Sequence, residues 1–227
     1  MTVMAGVLEA PPAPPRIDRG SDRLPPLPPT GDDGRRGEEP EPRRRRLDNA
    51  RLAMLVFLSG EIMFFSGMVS AYLVLRSAAP VWPPPLQPRL PIAVTGANTL
   101  VLLASSVCMA AAVRARRQHD GRGLRRWLAA TAGLGALFLA VQGYEWVQLV
   151  SFGVTLSSGI FGATFYTLIG THAVHVLGAL VWLTVTLVMA LRGAFDGARG
   201  TPVETCAIYW HFVVALWPLL YVTVYLT

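Results

Sequence analysis

The sequence predicts an all-α integral membrane protein, a bundle of five transmembrane helices behind a disordered N-terminal tail. Three observations carry that prediction. The chain of 227 residues is 52% hydrophobic and only 15% charged, whereas about a quarter of the residues in an ordinary soluble domain are charged. Its apolar residues gather in five blocks, at about 51–76, 92–113, 126–150, 160–191 and 204–226, each near or above the roughly 20 residues a helix needs to cross a bilayer. The blocks are unbroken and do not alternate with period two, so helices rather than a closed barrel satisfy the backbone in lipid.

The tail, residues 1–46, comes first. It holds nine of the 20 basic residues, all of them arginine, and ten of the 18 prolines, in "EAPPAPPRIDRG" and "RLPPLPPTGDDGRRGEEPEPRRRR". Such a segment has no apolar core to offset its ordering entropy, and is expected to be disordered with stretches of polyproline II. It lacks the apolar stretch of a cleaved export signal. Its proline repeats could engage a partner domain; a solvated tail is the simpler reading. The membrane domain is expected to fill 47–227.

Block one, with Arg43 to Arg46 and Arg51 before it, leads into "SAAPVWPPPLQPRLP", a proline-rich loop with Trp82 at its expected outer interface. Block two ends at "RARRQHDGRGLRR", residues 114–126. Block three is followed by "SFGVTLSSG", residues 151–159, which carries no charge, and blocks four and five complete the chain. The arginines therefore alternate from side to side. The positive-inside rule places the N-terminus and the 114–126 loop in the cytoplasm and the C-terminus outside. The net charge of +6 is thus accounted for by topology, and no nucleic-acid partner is predicted. Cys108 and Cys206 lie inside apolar stretches and read as packing residues, not as a disulfide or a metal knuckle.

Six ionisable residues stand out within the blocks: Glu61, Glu145, His172, His175, Glu204 and His211. Glu61 lies about 15 Å along its helix from Arg51, close to the bilayer midplane. A charge there costs about 2.5–3.5 kcal/mol or more, so the group is protonated, paired or turned inward. Glu145 and Glu204 lie nearer helix ends, where an interfacial position is equally open. His172 and His175 are three apart on one helix face. His172 or His175 with His211 could bracket one haem, but three membrane histidines are too few for a binuclear haem–copper site. Hydrogen bonding between helices is the commoner use of such groups. Ser66 with Ser70, and Gly67 with Ala71, would let a neighbouring helix approach block one closely.

The strings "SGEIMFFSGMVSAYLVLR", "NTLVLLASS", "QGYEWVQ", "SGIFGATFYTLIGTHAVHVLGALVWL" and "ETCAIYWHFVVALWPLLYVTVYL" resemble, in order, subunit III of the haem–copper cytochrome c oxidases, in its short five-helix bacterial form. The resemblance covers residue 50 to the C-terminus. It implies a bacterial inner-membrane subunit that docks on oxidase subunit I in a complex with subunit II. It also implies no haem or copper in this chain, those cofactors residing in partner subunits, and bound phospholipid. No catalytic residue is expected. The family's membrane glutamate falls on Glu61, its two-histidine motif on His172 and His175, and its "Y-W-H-F-V" motif on Tyr209 to Val213. Where many members then carry aspartate, this chain has Val214, so a role needing a carboxylate there is not open to it. The expected function is a non-redox subunit that stabilises the catalytic subunit, holds lipids and supports proton uptake. Quinol oxidases and nitric oxide reductases use related subunits, and an independent haem-binding cytochrome is a further alternative.

Overall fold

The computed structural model describes residues 49–82, 92–153, 155–195 and 201–226; the expected disordered tail lies outside them. Five helices run through these residues: α1, Asn49–Ala78; α2, Ile92–Arg117; α3, Gly121–Ser151; α4, Ile160–Leu191; and α5, Thr201–Tyr221. All five are long and apolar enough to cross a membrane. No strand occurs among the described residues.

The helices pass up and down, which brings the start of α1, the α2–α3 turn and the α4–α5 junction to one end. Arg51, Arg117 and Glu204 line a common cavity there, and the Arg116 guanidinium sits 5.6 Å from the Phe195 ring. Eight described arginines (51, 114, 116, 117, 122, 125, 126 and 192) belong to this end, and only Arg76 to the other. At the far end the Tyr221 hydroxyl donates to the Ile92 carbonyl over 2.9 Å. Trp82 packs edge-on against Tyr72 and Phe161 there, at 5.7 and 5.2 Å.

Each buried face follows a seam. On α3 the buried residues are 124, 128, 131, 135, 138, 142, 145 and 149, spaced alternately four and three, the signature of knobs-into-holes packing at a small crossing angle. The packed face of α1 repeats the rhythm with Met54, Leu58, Glu61, Phe65, Met68 and Tyr72. Helix α2 packs on α3 and α5, α4 on α3 and α5, and α1 on α5 and α4. Helix α5 is therefore central: half of its membrane window is buried inside the chain (50%), against 17% for α1.

The small residues of α1 do not serve the close approach expected of them. Ser66, Gly67, Ser70 and Ala71 are all exposed, and nothing lies within 4 Å of a Cβ built on Gly67. The reason is the seam itself: α1 is an edge helix, and its Phe65/Tyr72 face already meets the rest of the bundle.

Local chemistry sets the helix ends. Asp120 caps α3, its carboxylate accepting from the Gly123 N–H over 2.9 Å, and the preceding His119 turns the chain with φ 58°. This cap starts α3 five residues before its apolar block, and α2 runs on to Arg117, four residues past its own. Arginine stems tolerate helix at the interface because they carry their charge outward. Between α3 and α4, Gly153 (φ 84°) and Gly159 (φ 111°) take the left-handed backbone that side chains resist. In α5, Pro218 has no N–H to donate to Val214, and the chain ends in a π-helical turn, Val222–Leu226.

Candidate functional site

The ionisable residues inside the bundle form separate interhelical contacts. Glu61, on the seam of α1, meets His175 of α4: Nε2 lies 3.0 Å from Oε2, at ion-pair distance but off the hydrogen-bond direction. The other ring nitrogen, Nδ1, is 2.7 Å from the Thr171 carbonyl. A carbonyl only accepts, so Nδ1 carries a proton. One further proton, whether on Nε2 or on the carboxylate, leaves the pair without net charge. That removes the cost of about 2.5–3.5 kcal/mol or more for a lone ion at this depth. Phe65 closes one side, its ring edge-on to His175 at 5.1 Å.

His172, one turn earlier on α4, looks elsewhere. Its ring stacks on Trp217 of α5 at 5.1 Å and 25°. It is 1% exposed, and neither ring nitrogen has a hydrogen-bond partner among the described residues. Trp217 in turn donates from Nε1 to the Thr99 hydroxyl of α2 over 2.9 Å. His211 of α5 faces α2, with Nδ1 2.6 Å from the Ser106 hydroxyl. His175, His172 and His211 are thus drawn toward α1, α5 and α2 respectively. Among the described residues no three His, Cys, Asp or Glu side chains gather as a metal would require.

Glu145 occupies the seam of α3 and is 4% exposed, so it is a core residue and not a rim residue. The Thr95 hydroxyl of α2 lies 3.1 and 2.9 Å from its two oxygens. The Gln142 amide donates to it over 3.0 Å and also reaches the Tyr225 hydroxyl at 3.4 Å. The cluster joins α2, α3 and the C-terminal turn through neutral donors. Glu204, by contrast, sits at the arginine-rich end and pairs with Arg51, tying the start of α5 to the start of α1. Val214 is an ordinary core residue, 2% exposed.

The partners of these groups were not singled out in the sequence. Thr95, Asn98, Thr99, Ser105 and Ser106 make a polar stripe on α2, whose members reach Glu145, the Phe138 carbonyl, Trp217, Trp210 and His211. The signal is partial: pairs of these positions stand three, four or seven apart and so share one face of α2, which marks a polar face without naming its partners. Gln142 and Tyr225 carry no such signal.

Comparison with known proteins places this arrangement. The profile of the family described as Cytochrome c oxidase subunit III matches residues 45–227. Cytochrome c oxidase subunit 3 of Synechocystis sp. is 36% identical over 180 residues, which is 79% of this chain and 76% of the relative. The protein of that name from Thermostichus vulcanus is 36% identical over 176 residues, 77% of this chain and 86% of the relative. That from Corynebacterium diphtheriae is 35% identical over 174 residues, 75% and 84%. The profile match takes in all five helices and every contact described above, and the chain belongs to the cytochrome c oxidase subunit III family.

Proposed function

We propose that, within the oxidase complex to which a subunit III belongs, this chain acts without a redox centre of its own. It covers and stabilises the catalytic subunit I alongside subunit II, holds phospholipid, and supports proton uptake, while haem and copper reside in its partners. The observation that carries this reading is the engagement of Glu61, Glu145, Glu204, His175 and His211 with side chains of neighbouring helices. Groups so paired hold helices together. The named relatives are subunits of cytochrome c oxidase, which gives the quinol oxidase and nitric oxide reductase alternatives no support. In the proposed orientation the arginine-rich end faces the cytoplasm of a bacterium and the C-terminus lies outside.

The Glu61–His175 pair supplies the test. Glu61→Ala leaves His175 facing α1 with no carboxylate, and is expected to lower the thermal stability of the purified oxidase and the retention of this subunit. Turnover and proton pumping per intact complex should change little. Intact mutant complexes that transfer electrons normally but no longer pump protons would overturn the packing account.

A further inference from the structure

Toward the end of the bundle away from the arginines, Glu145 projects from the seam of α3 into a closed polar cluster. Glu145, Gln142, Thr95 and Tyr225 are all buried. The groups that reach the carboxyl are one hydroxyl and one amide. The Thr95 hydroxyl oxygen stands 3.1 Å from Oε1 and 2.9 Å from Oε2, and the Gln142 amide nitrogen 3.0 Å from Oε2. The elements packed against this part of α3 bring no cation to it. Helix α2 has no titratable residue at this level. Helix α4 carries Tyr166, which packs on Trp146, His172, which stacks on Trp217, and His175, which faces α1. The last turns of the chain carry Tyr221 and Tyr225, stacked on each other. Glu145 takes no part in the ion pairs found among the described residues, Arg51–Glu204 and His175–Glu61.

We infer that Glu145 is a proton-binding site: it stands as a neutral carboxylic acid whose O–H, on Oε1, donates to the Thr95 hydroxyl. An ionised carboxylate offers about four acceptor positions and no hydrogen to give, and only two neutral donors answer it here. Oε1 would then depend on Thr95, whose single hydroxyl hydrogen cannot lie along the lines to both carboxyl oxygens. A proton on Oε1 resolves this. The acid O–H runs to Thr95 Oγ1, the Thr95 O–H returns to Oε2, and the Gln142 N–H takes a second acceptor position on Oε2. Burial argues the same way, because an ion enclosed without a counter-charge forfeits its hydration, whereas the neutral acid does not. A bound cation would require the Gln142 amide oxygen to turn toward the carboxyl, but the amide nitrogen faces it. The proton is thus part of the folded subunit. It sets Glu145 apart from Glu61, whose partner His175 can itself take or give a proton. The inference is independent of how this subunit serves the oxidase.

Infrared spectroscopy of the whole purified oxidase complex provides the test, because the C=O stretch of a protonated carboxyl is separate from the bands of a carboxylate. Wild type is compared with Glu145→Gln, Glu61→Gln and Thr95→Val at neutral pH, where an exposed glutamate is ionised. Glu145→Gln is expected to lose one protonated-carboxyl band, and Glu61→Gln to keep that same band. Thr95→Val should keep it at higher frequency, since the acid O–H loses its acceptor. Loss of carboxylate absorption from Glu145→Gln, with every protonated-carboxyl band retained, would overturn the inference. An unmoved band in Thr95→Val would overturn the donation to Thr95. Retention of the subunit gives a second readout. Glutamine has the shape of the neutral acid and offers an amide hydrogen where the acid offers its O–H, so the Glu145→Gln subunit is expected to stay in the complex. Its release under conditions that retain the wild-type subunit would show that the cluster requires a negative charge, and would also overturn the inference.

Discussion

The residues of the candidate site divide into those that announce themselves and those that do not. Glu61, Glu145 and the histidines are visible in the sequence because an ionisable group in an apolar block is costly. Their partners are not. Thr95, Ser105 and Ser106 are inexpensive to bury and common in membrane helices, and Tyr225 stands 83 residues from the Gln142 it approaches. Nothing short of the fold relates them. Glu145 makes the consequence measurable. Its carboxylate is the acceptor shared by the Thr95 hydroxyl and the Gln142 amide, so Glu145→Leu removes that acceptor from a closed interior. The expected loss is about 1–3 kcal/mol, read as a lower midpoint for thermal release of this subunit from the purified oxidase. Glu145→Gln, which keeps an acceptor oxygen in place, should lose clearly less. Equal losses in the two variants would show that the retained acceptor oxygen contributes nothing to the cluster.

At the scale of elements, the number and order of the helices follow from block length, while their ends and faces do not. Block length says how much chain fits in the bilayer; the Asp120 cap and the arginine stems decide where α2 and α3 stop and start. Faces depend on neighbours, and the exposed Ser66–Ala71 surface of α1 shows how small residues mislead when the helix lies at an edge. Helix α3 offers a contrast within one element. A Cβ on Gly135 would meet the Trp210 ring of α5 at 2.5 Å, and Trp210 is held in place by its 3.2 Å hydrogen bond to Ser105. Gly133 and Gly143 have nothing within 4 Å. Gly135→Ala is therefore expected to displace Trp210 at a cost of about 1–3 kcal/mol. Gly133→Ala and Gly143→Ala should be neutral or slightly stabilising, since alanine is the better helix former. The same thermal-release measurement, with tryptophan fluorescence as a second readout, checks all three; a tolerated Gly135→Ala with unchanged fluorescence would show that the α3–α5 contact is looser than described.

At the scale of the whole molecule, the distribution of charge gives a definite expectation for which end faces the cytoplasm. With eight described arginines at one end and one at the other, insertion in the reverse sense would carry the α2–α3 turn and its flanking cations across the bilayer, which the positive-inside rule disfavours. The two turns on opposite ends provide the probe sites. Gln118 precedes α3 at the arginine-rich end and is exposed, and Ser157 lies in the exposed Thr155–Ser158 turn at the other. In a background where Cys108 and Cys206 are replaced by serine, Ser157→Cys should react with a membrane-impermeant maleimide in intact cells. Gln118→Cys should react only after the membrane is opened. The reverse pattern would invert the bundle and place its arginine-rich end outside. That result would set the start of α5, with its Arg51–Glu204 pair, on the outer side, and would overturn the cytoplasmic placement of the arginine-rich end.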